Sequence, residues 1–500
     1  MTIARTLLVV SAVLALSIGT PARADDESRD RQIQELKKQV EDLKTIVYQL
    51  QKQVTKRTAS PKRTAVVQAR PARQATPAAP PAQPATPVVT PAQFAAALPQ
   101  AAPPPTAAAT PSATDTVAGT AKSIIADTLR GMTFNVALDT YYEYNTNHPI
   151  GRVNYLRAYD VSADSFSLNQ ADVVVESAPD PANNKPYGLR LDLQYGQATA
   201  TLQGNPANEL RPEVYRPIYQ AYGTYVIPLG NGLTVDFGKW ASSLGMEGNY
   251  TKDQLNYSRS FWFDYLPFYH TGLRAKYPLN DAVTFNLWIV NGTQESEADN
   301  NYKDQLYGVV YTPSPDFTWT FNFYHGQEHP DVVYLQNPIP GLNLPSQQGT
   351  YIEPIANAPS GMLNIGDTYA TWQATPELLF GLEGDYTVER YYTYSSPQHV
   401  YGGAVYSSYQ ILPQLDIAFR GEYLADHGGL FSGVKQDLKE GTLTLDYRPA
   451  GDGFLVDLEY RRDWSNAPYF LSNTLNVLEH SQPTIGVGLV WWFGQKQGAW

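Results

Sequence analysis

The chain has 500 residues, with 35 Tyr, 4 Met and no Cys, and a formal net charge of −12. The lack of Cys excludes disulfides, thiolate metal ligands and thiol catalysis. No apolar run of about 18 residues lies beyond the N-terminus, which excludes helical membrane spans from the body of the chain; the negative mean hydropathy is no argument against a barrel, because half of each barrel strand is polar.

Residues 1–24 read as a secretory signal. Arg5 supplies the basic start, Leu7–Gly19 the apolar stretch, and Ala22-Arg23-Ala24 a small-residue cleavage site. Export is therefore expected.

Residues 25–56 carry a heptad: Ile33, Val40, Val47 and Val54 at a, Leu36, Leu43 and Leu50 at d. A coiled coil of about 40 Å follows from the rise of 1.5 Å per residue. β-branched a with Leu d favours a parallel dimer, while Ile46 at g widens the seam toward a trimer.

Residues 57–130 are dominated by Ala, Pro, Thr and Gln, with runs such as Pro103-Pro104-Pro105. This composition buries no core and reads as an extended, flexible linker. Its basic head (Arg57, Lys62, Arg63, Arg70, Arg73) suits an anionic cell-wall polymer or lipid head groups, and equally a solvated tether.

From Gly131 to Trp500 the pattern changes to period two. In Asp316–His325, Phe317, Trp319, Phe321 and Phe323 alternate with Thr318, Thr320, Asn322 and Tyr324. About sixteen such segments follow one another, from Thr133–Tyr144 to Thr484–Phe493. Short turns after the even segments, such as Pro313-Ser-Pro-Asp316, alternate with long connections after the odd ones, such as Ala241–Phe268 and His325–Met362. The link from Glu176 to Tyr187 fits this scheme least well. The alternation predicts an all-β transmembrane antiparallel barrel of about sixteen strands, and a Greek-key sandwich gives no reason for it.

One face of these segments carries charge. Asp139, Glu143, Arg190, Asp192, Arg274, Lys276, Glu383, Asp385, Asp416, Arg420, Glu422, Asp457, Glu459 and Arg461 are expected to line a wet lumen, since charges in a dry interior are costly. Tyr and Trp near strand ends, among them Tyr195, Tyr447 and Trp491, suit interfacial girdles. The connection after the fifth segment holds the place from which general porins fold a constricting loop inward. Within it, Glu247, Lys252, Asp253, Arg259 and Asp264 are candidates for a charged eyelet. From Gly131 on there are 20 Lys and Arg against 39 Asp and Glu, which predicts a weak preference for cations.

No enzymatic constellation gathers support, and no cofactor or metal is expected. His325 and His329 are four apart, but Gly326 and Pro330 argue against a shared helix face. Glu383, Asp385 and Glu389 form a carboxylate group that a solvated lumen explains. No nucleic-acid signature is present.

The blocks Phe166-Ser-Leu-Asn-Gln-Ala171, Pro186-Tyr-Gly-Leu-Arg-Leu-Asp192, Val235-Asp-Phe-Gly-Lys239, Tyr257-Ser-Arg-Ser260, Pro267-Phe-Tyr-His-Thr-Gly272 and Val290-Asn-Gly292 resemble the OmpL-like porin-2 family of outer-membrane barrels. The resemblance runs from about Met132 to Phe493 and implies a porin in the bacterial outer membrane that passes small hydrophilic solutes. The expected partners are the lipid bilayer and two further copies in a homotrimer, with the N-terminal region in the periplasm. The other reading is a structural envelope protein, in which the coiled coil and linker tether the barrel to the cell wall. The seven residues after Phe493 leave two candidates, Phe493 and Trp500, for a terminal assembly signal.

Overall fold

A computed structural model describes residues 131–202, 209, 212–335, 351–449, 452–496 and 499–500. The expected signal peptide, coiled coil and linker lie outside the described residues.

The chain forms β1 (Thr133–Asn145), β2 (Ser165–Ser177), β3 (Tyr187–Tyr195), β4 (Ile218–Ile227), β5 (Leu233–Ala241), β6 (Tyr269–Pro278), β7 (Val283–Val290), β8 (Asp304–Ser314) and β9 (Phe317–Gly326). After a small hairpin of β10 (Val332–Leu335) and β11 (Tyr351–Pro354) come β12 (Leu363–Thr375), β13 (Leu378–Glu389), β14 (Gln398–Leu412), β15 (Leu415–Asp426), β16 (Gln436–Tyr447) and β17 (Phe454–Ser465). A second hairpin, β18 (Phe470–Leu471) with β19 (Leu478–Glu479), precedes β20 (Ser481–Gly494). Omitting the two hairpins, sixteen strands close into one antiparallel barrel, β1 pairing with β20 through Asp139 opposite Val490. Closure leaves no strand edge unpaired, which the hydrocarbon layer requires.

Each segment expected from the sequence is one barrel strand. The largest difference is β16, for which the alternation predicts a strand over Thr442–Tyr447 and which begins at Gln436. Its first turn of pleat carries Asp437 and Lys439 on the outer face, so the apolar alternation starts only at Leu443. The link after β2 is the longest at its end of the barrel, as its sequence suggests, and it is closed by a bridge between Asp180 and Lys185. The Asp180 side chain caps a 3₁₀ turn at Pro181–Asn183, and Asn184 takes the left-handed conformation that Asn tolerates (φ 60°).

The alternation in β9 is real in three dimensions. Trp319, Phe321 and Phe323 stand on the exposed outer face, and Thr320, Asn322 and Tyr324 are buried inside. The outer rings of other strands, such as Phe285, Phe380 and Phe419, continue this apolar band. Connections after β2, β4, β6, β8, β12, β14 and β16 are short and share one end, the periplasmic end of such barrels.

The inner wall is not polar throughout. Trp240, Trp288, Leu306, Tyr324, Ile365, Val400, Leu424 and Leu438 form a buried apolar cluster with Phe261, Trp262 and Leu266. These wall residues lie toward the long-connection end, where inserted chain covers them and removes them from water.

Candidate functional site

The connection between β5 and β6 turns into the barrel. Gly245, at φ +84°, makes the bend and donates its N–H to Asp367 at 3.0 Å; Met246 donates to Glu383 at 3.0 Å. Glu247 follows, bonded to Arg420 at 2.7 Å and accepting the Ser260 N–H at 2.6 Å. Beyond it, Tyr250 reaches Asp192 at 2.5 Å, Thr251 reaches Asp139 at 2.7 Å, and Tyr257 reaches Asp139 at 2.8 Å. Tyr257 and Ser258 donate their N–H groups to Glu459 at 2.8 and 3.1 Å, and Phe261 donates to Glu422 at 2.6 Å. The loop thus touches β1, β3, β12, β13, β15 and β17. Non-repetitive chain inside a barrel has no ladder partners, so its N–H groups must find other acceptors, and the wall carboxylates are those acceptors.

Arg259 serves the loop itself. Its guanidinium donates to the carbonyls of Gly248 at 3.0 Å, Tyr257 at 2.7 Å and Asn249 at 2.9 Å, and it is fully buried. The Ser260 hydroxyl accepts from the Phe263 N–H at 2.9 Å and so starts the helical turn Phe261–Tyr265.

The other expected loop charges have separate surroundings. Lys252 pairs with Asp253 at 2.6 Å and lies 4.6 Å from the Trp500 ring centre; burial draws its ammonium below the usual range. Asp253 also accepts the Trp500 N–H at 3.1 Å. Asp264 is half-buried and, with Arg157, Tyr265, Glu328, Thr387 and Glu389, lines a cavity of about 550 Å³. Burial pushes its carboxyl up to about 7. A second cavity, of about 310 Å³, lies against Glu247, Tyr250, Asp253, Phe268 and Trp500.

On the wall, Asp139, Asp192, Glu383, Glu422 and Glu459 meet the loop as described. Arg420 joins Glu440 at 2.6 Å, Arg461 joins Asp463 at 2.7 Å and also bonds the Arg259 carbonyl. Arg190 joins Asp192 at 2.9 Å, and Arg274 joins Asp236 at 2.6 Å while stacking over Trp240. Asp385 and Asp457 are buried on the same inner face. Asp416 sits near the short turns, 3.6 Å from Arg448, and Lys276 is exposed at that end, apart from the loop.

Three participants were not legible in the sequence. Arg157, from the connection after β1, is buried inside and binds Asp463 at 3.0 Å, Glu143 at 3.3 Å and Asp160. No periodicity marks that segment. Trp500 packs against Tyr250, while Phe493 stays exposed on the outer face of β20. Asp367 joins Glu383 and Asp385, in place of the expected Glu389.

The sequence profile of the beta-barrel porin-2, OmpL-like family matches residues 131–493. The chain belongs to this porin family. Its barrel lies accordingly in the outer membrane. Among solved structures, the porin-2 chain is similar to a loop L8 deletion mutant of OmpT of Vibrio cholerae, with 11% identity, 72% of this chain and 99% of that chain covered, and a TM-score of 0.46. It is similar also to an anion-selective porin from Comamonas acidovorans (9% identity, 72% and 99% covered, TM-score 0.46). A third is the outer membrane channel DcaP of Acinetobacter baumannii (10% identity, 73% and 98% covered, TM-score 0.44). At such identities the likeness extends to the barrel fold alone. No curated protein matches this porin-2 sequence.

Proposed function

We propose that this porin-2 barrel is a passive channel for small hydrophilic solutes, narrowed by the loop between β5 and β6 and weakly selective for cations. The observation that carries the reading is the loop itself, which crosses the lumen and is braced on both sides by wall carboxylates. A barrel that served only as an anchor would have no use for a loop held at so many points. The charge balance supports cation preference: Arg157, Arg190, Arg274, Arg420 and Arg461 are each paired with carboxylates, and residues 131–500 carry 39 Asp and Glu against 20 Lys and Arg. Unbalanced negative charge in a narrow passage concentrates cations. No step of this function calls for a catalytic group.

Purified protein in a planar bilayer separates the outcomes. Discrete conductance steps and a cation-selective reversal potential across a salt gradient are expected. A silent barrel would sink the pore, and anion selectivity would sink the preference.

β1 begins at the short-turn end, which supports a periplasmic position for residues 25–130. In this reading the coiled coil holds three copies together, and the linker reaches toward the cell wall. Deleting residues 25–120 should leave conductance intact and weaken the trimer; unchanged assembly would remove the role of the coiled coil.

A further inference from the structure

Three carboxylates converge on the inner wall where β12 and β13 pair. The register sets Asp367 opposite Asp385, and Glu383 lies two residues along on the same face. One oxygen from each lies within 4.8 Å of the others. Like charges placed directly opposite on neighbouring strands destabilise the pair. All three side chains are buried, and among the described residues none forms a salt bridge.

Their hydrogen bonds are distributed unevenly. Asp367 accepts from the Gly245 N–H at 3.0 Å and from the Asn322 amide at 2.8 Å. Glu383 accepts from the Met246 N–H at 3.0 Å and the Tyr406 hydroxyl at 2.7 Å. Asp385 is only 5% exposed, no N–H or O–H donor among the described residues reaches either of its carboxylate oxygens, and the close polar neighbour it does have is the Asp367 carboxyl. A buried carboxylate without donor or counter-ion is costly, and this one faces two further carboxylates.

We propose that Asp367, Glu383 and Asp385 hold a calcium-sized divalent cation on the barrel wall. The donors are all carboxylate oxygens, which suit a hard cation and not a soft one. Oxygens on opposite sides of Ca²⁺ stand about 4.6–5.2 Å apart and those around Mg²⁺ about 4.2 Å at most, given bonds of about 2.3–2.6 and 2.1 Å. Oxygens within 4.8 Å of one another fit round a calcium-sized ion, and a buried cage of three carboxylates suits Ca²⁺ better than Mg²⁺, which keeps several waters. Asp385 supplies both of its free oxygens, and Asp367 and Glu383 supply second lone pairs. Because those two also receive the Gly245 and Met246 N–H groups, the cation ties the wall to the first bend of the inserted loop. The site needs the folded barrel and does not depend on conduction.

The test uses the full chain folded in detergent, stripped with EDTA and titrated with Tb³⁺ at neutral pH. Luminescence sensitised by nearby Tyr406 should saturate and be displaced by Ca²⁺. Binding should weaken at least tenfold in Asp385→Asn and stay unchanged in Glu377→Gln, an exposed carboxylate of the β12–β13 turn. Heat-modifiable migration verifies folding, and Glu383→Gln takes the place of Asp385→Asn should that variant fail to fold. Absence of saturable binding up to about 1 mM, the weak end of protein calcium sites, would mean that protons neutralise the cluster and would overturn the proposal. So would equal binding by the variant. Bound Tb³⁺ in a protein that conducts nothing would remove the pore reading and leave this one standing.

Discussion

Arg420 of β15 and Glu247 of the inserted loop meet across the lumen, Nη1 to Oε1 at 2.7 Å, with both side chains withdrawn from solvent. Glu440 holds the other side of the same guanidinium at 2.6 Å. Removing one partner of a buried pair leaves uncompensated charge and costs about 3–5 kcal/mol. Arg420→Ala should therefore lower thermal stability by that order and free the loop, seen as larger and noisier single-channel currents. Glu247→Gln keeps a hydrogen-bond acceptor and should do less. Identical currents from Arg420→Ala and the parent would show that the loop does not limit the passage.

Tyr257 lies against Gly488 of β20. A Cβ at position 488 would sit 2.2 Å from the ring, so the glycine is there to admit it. Gly488→Val should displace Tyr257 and break its bond to Asp139, at a cost of about 1–3 kcal/mol for overpacking. Tyr257→Ala, which vacates the space, should rescue much of that loss in a double-mutant cycle. Strict additivity of the two changes would contradict the contact.

The two faces of β9 answer differently to charge. Phe321 faces lipid and Thr320 faces inward. Phe321→Asp should depress the yield of heat-modifiable barrel, because a carboxylate is placed in hydrocarbon. Thr320→Asp should fold. Equal yields would reverse the face assignment.

The connection between β7 and β8 carries a pH dependence. Burial raises the Asp299 carboxyl to about 7, and burial with the neighbouring Glu328 raises Glu295 to about 11. A loosened loop would have ordinary carboxyls near 4. Between about pH 4 and 7 the packed loop keeps a proton on Asp299 that the loosened loop has lost. Packing is therefore fully stabilised at the acidic end and weakens as pH rises, by at most about 1.4 kcal/mol per pH unit for each group. Hydrogen exchange over residues 291–303, corrected for intrinsic rates and run in EDTA, should be slower at pH 5 than at pH 8. Asp299→Asn should flatten the difference, and equal protection in the parent would contradict it.

The strands were legible because their signal is local. Phe317 to Tyr324 states its two faces in eight residues, and Pro313–Asp316 states the turn before it. Glu247 is legible as a loop charge and Arg420 as a wall residue, but not their pairing. Nothing in the sequence couples positions 173 residues apart. The sequence offers five loop charges for an eyelet, and of these Arg259 and Glu247 hold the loop in place. Trp240 and Trp288 interrupt the polar inner face for a reason that appears only when the loop turn Phe261–Tyr265 is seen to cover them.

By itself, the sequence determined the barrel, a strand number of about sixteen and the apolar face of each strand. Period-two patterning and turn chemistry act between residues close along the chain, so they can be read from it. Only the tertiary structure decided where the long connections go and which charges meet. Asp367 faces Asp385 because strand register aligned them, and Gly245 donates to Asp367 because a loop crossed the lumen. Both depend on closure of the whole barrel, which no short stretch of sequence contains.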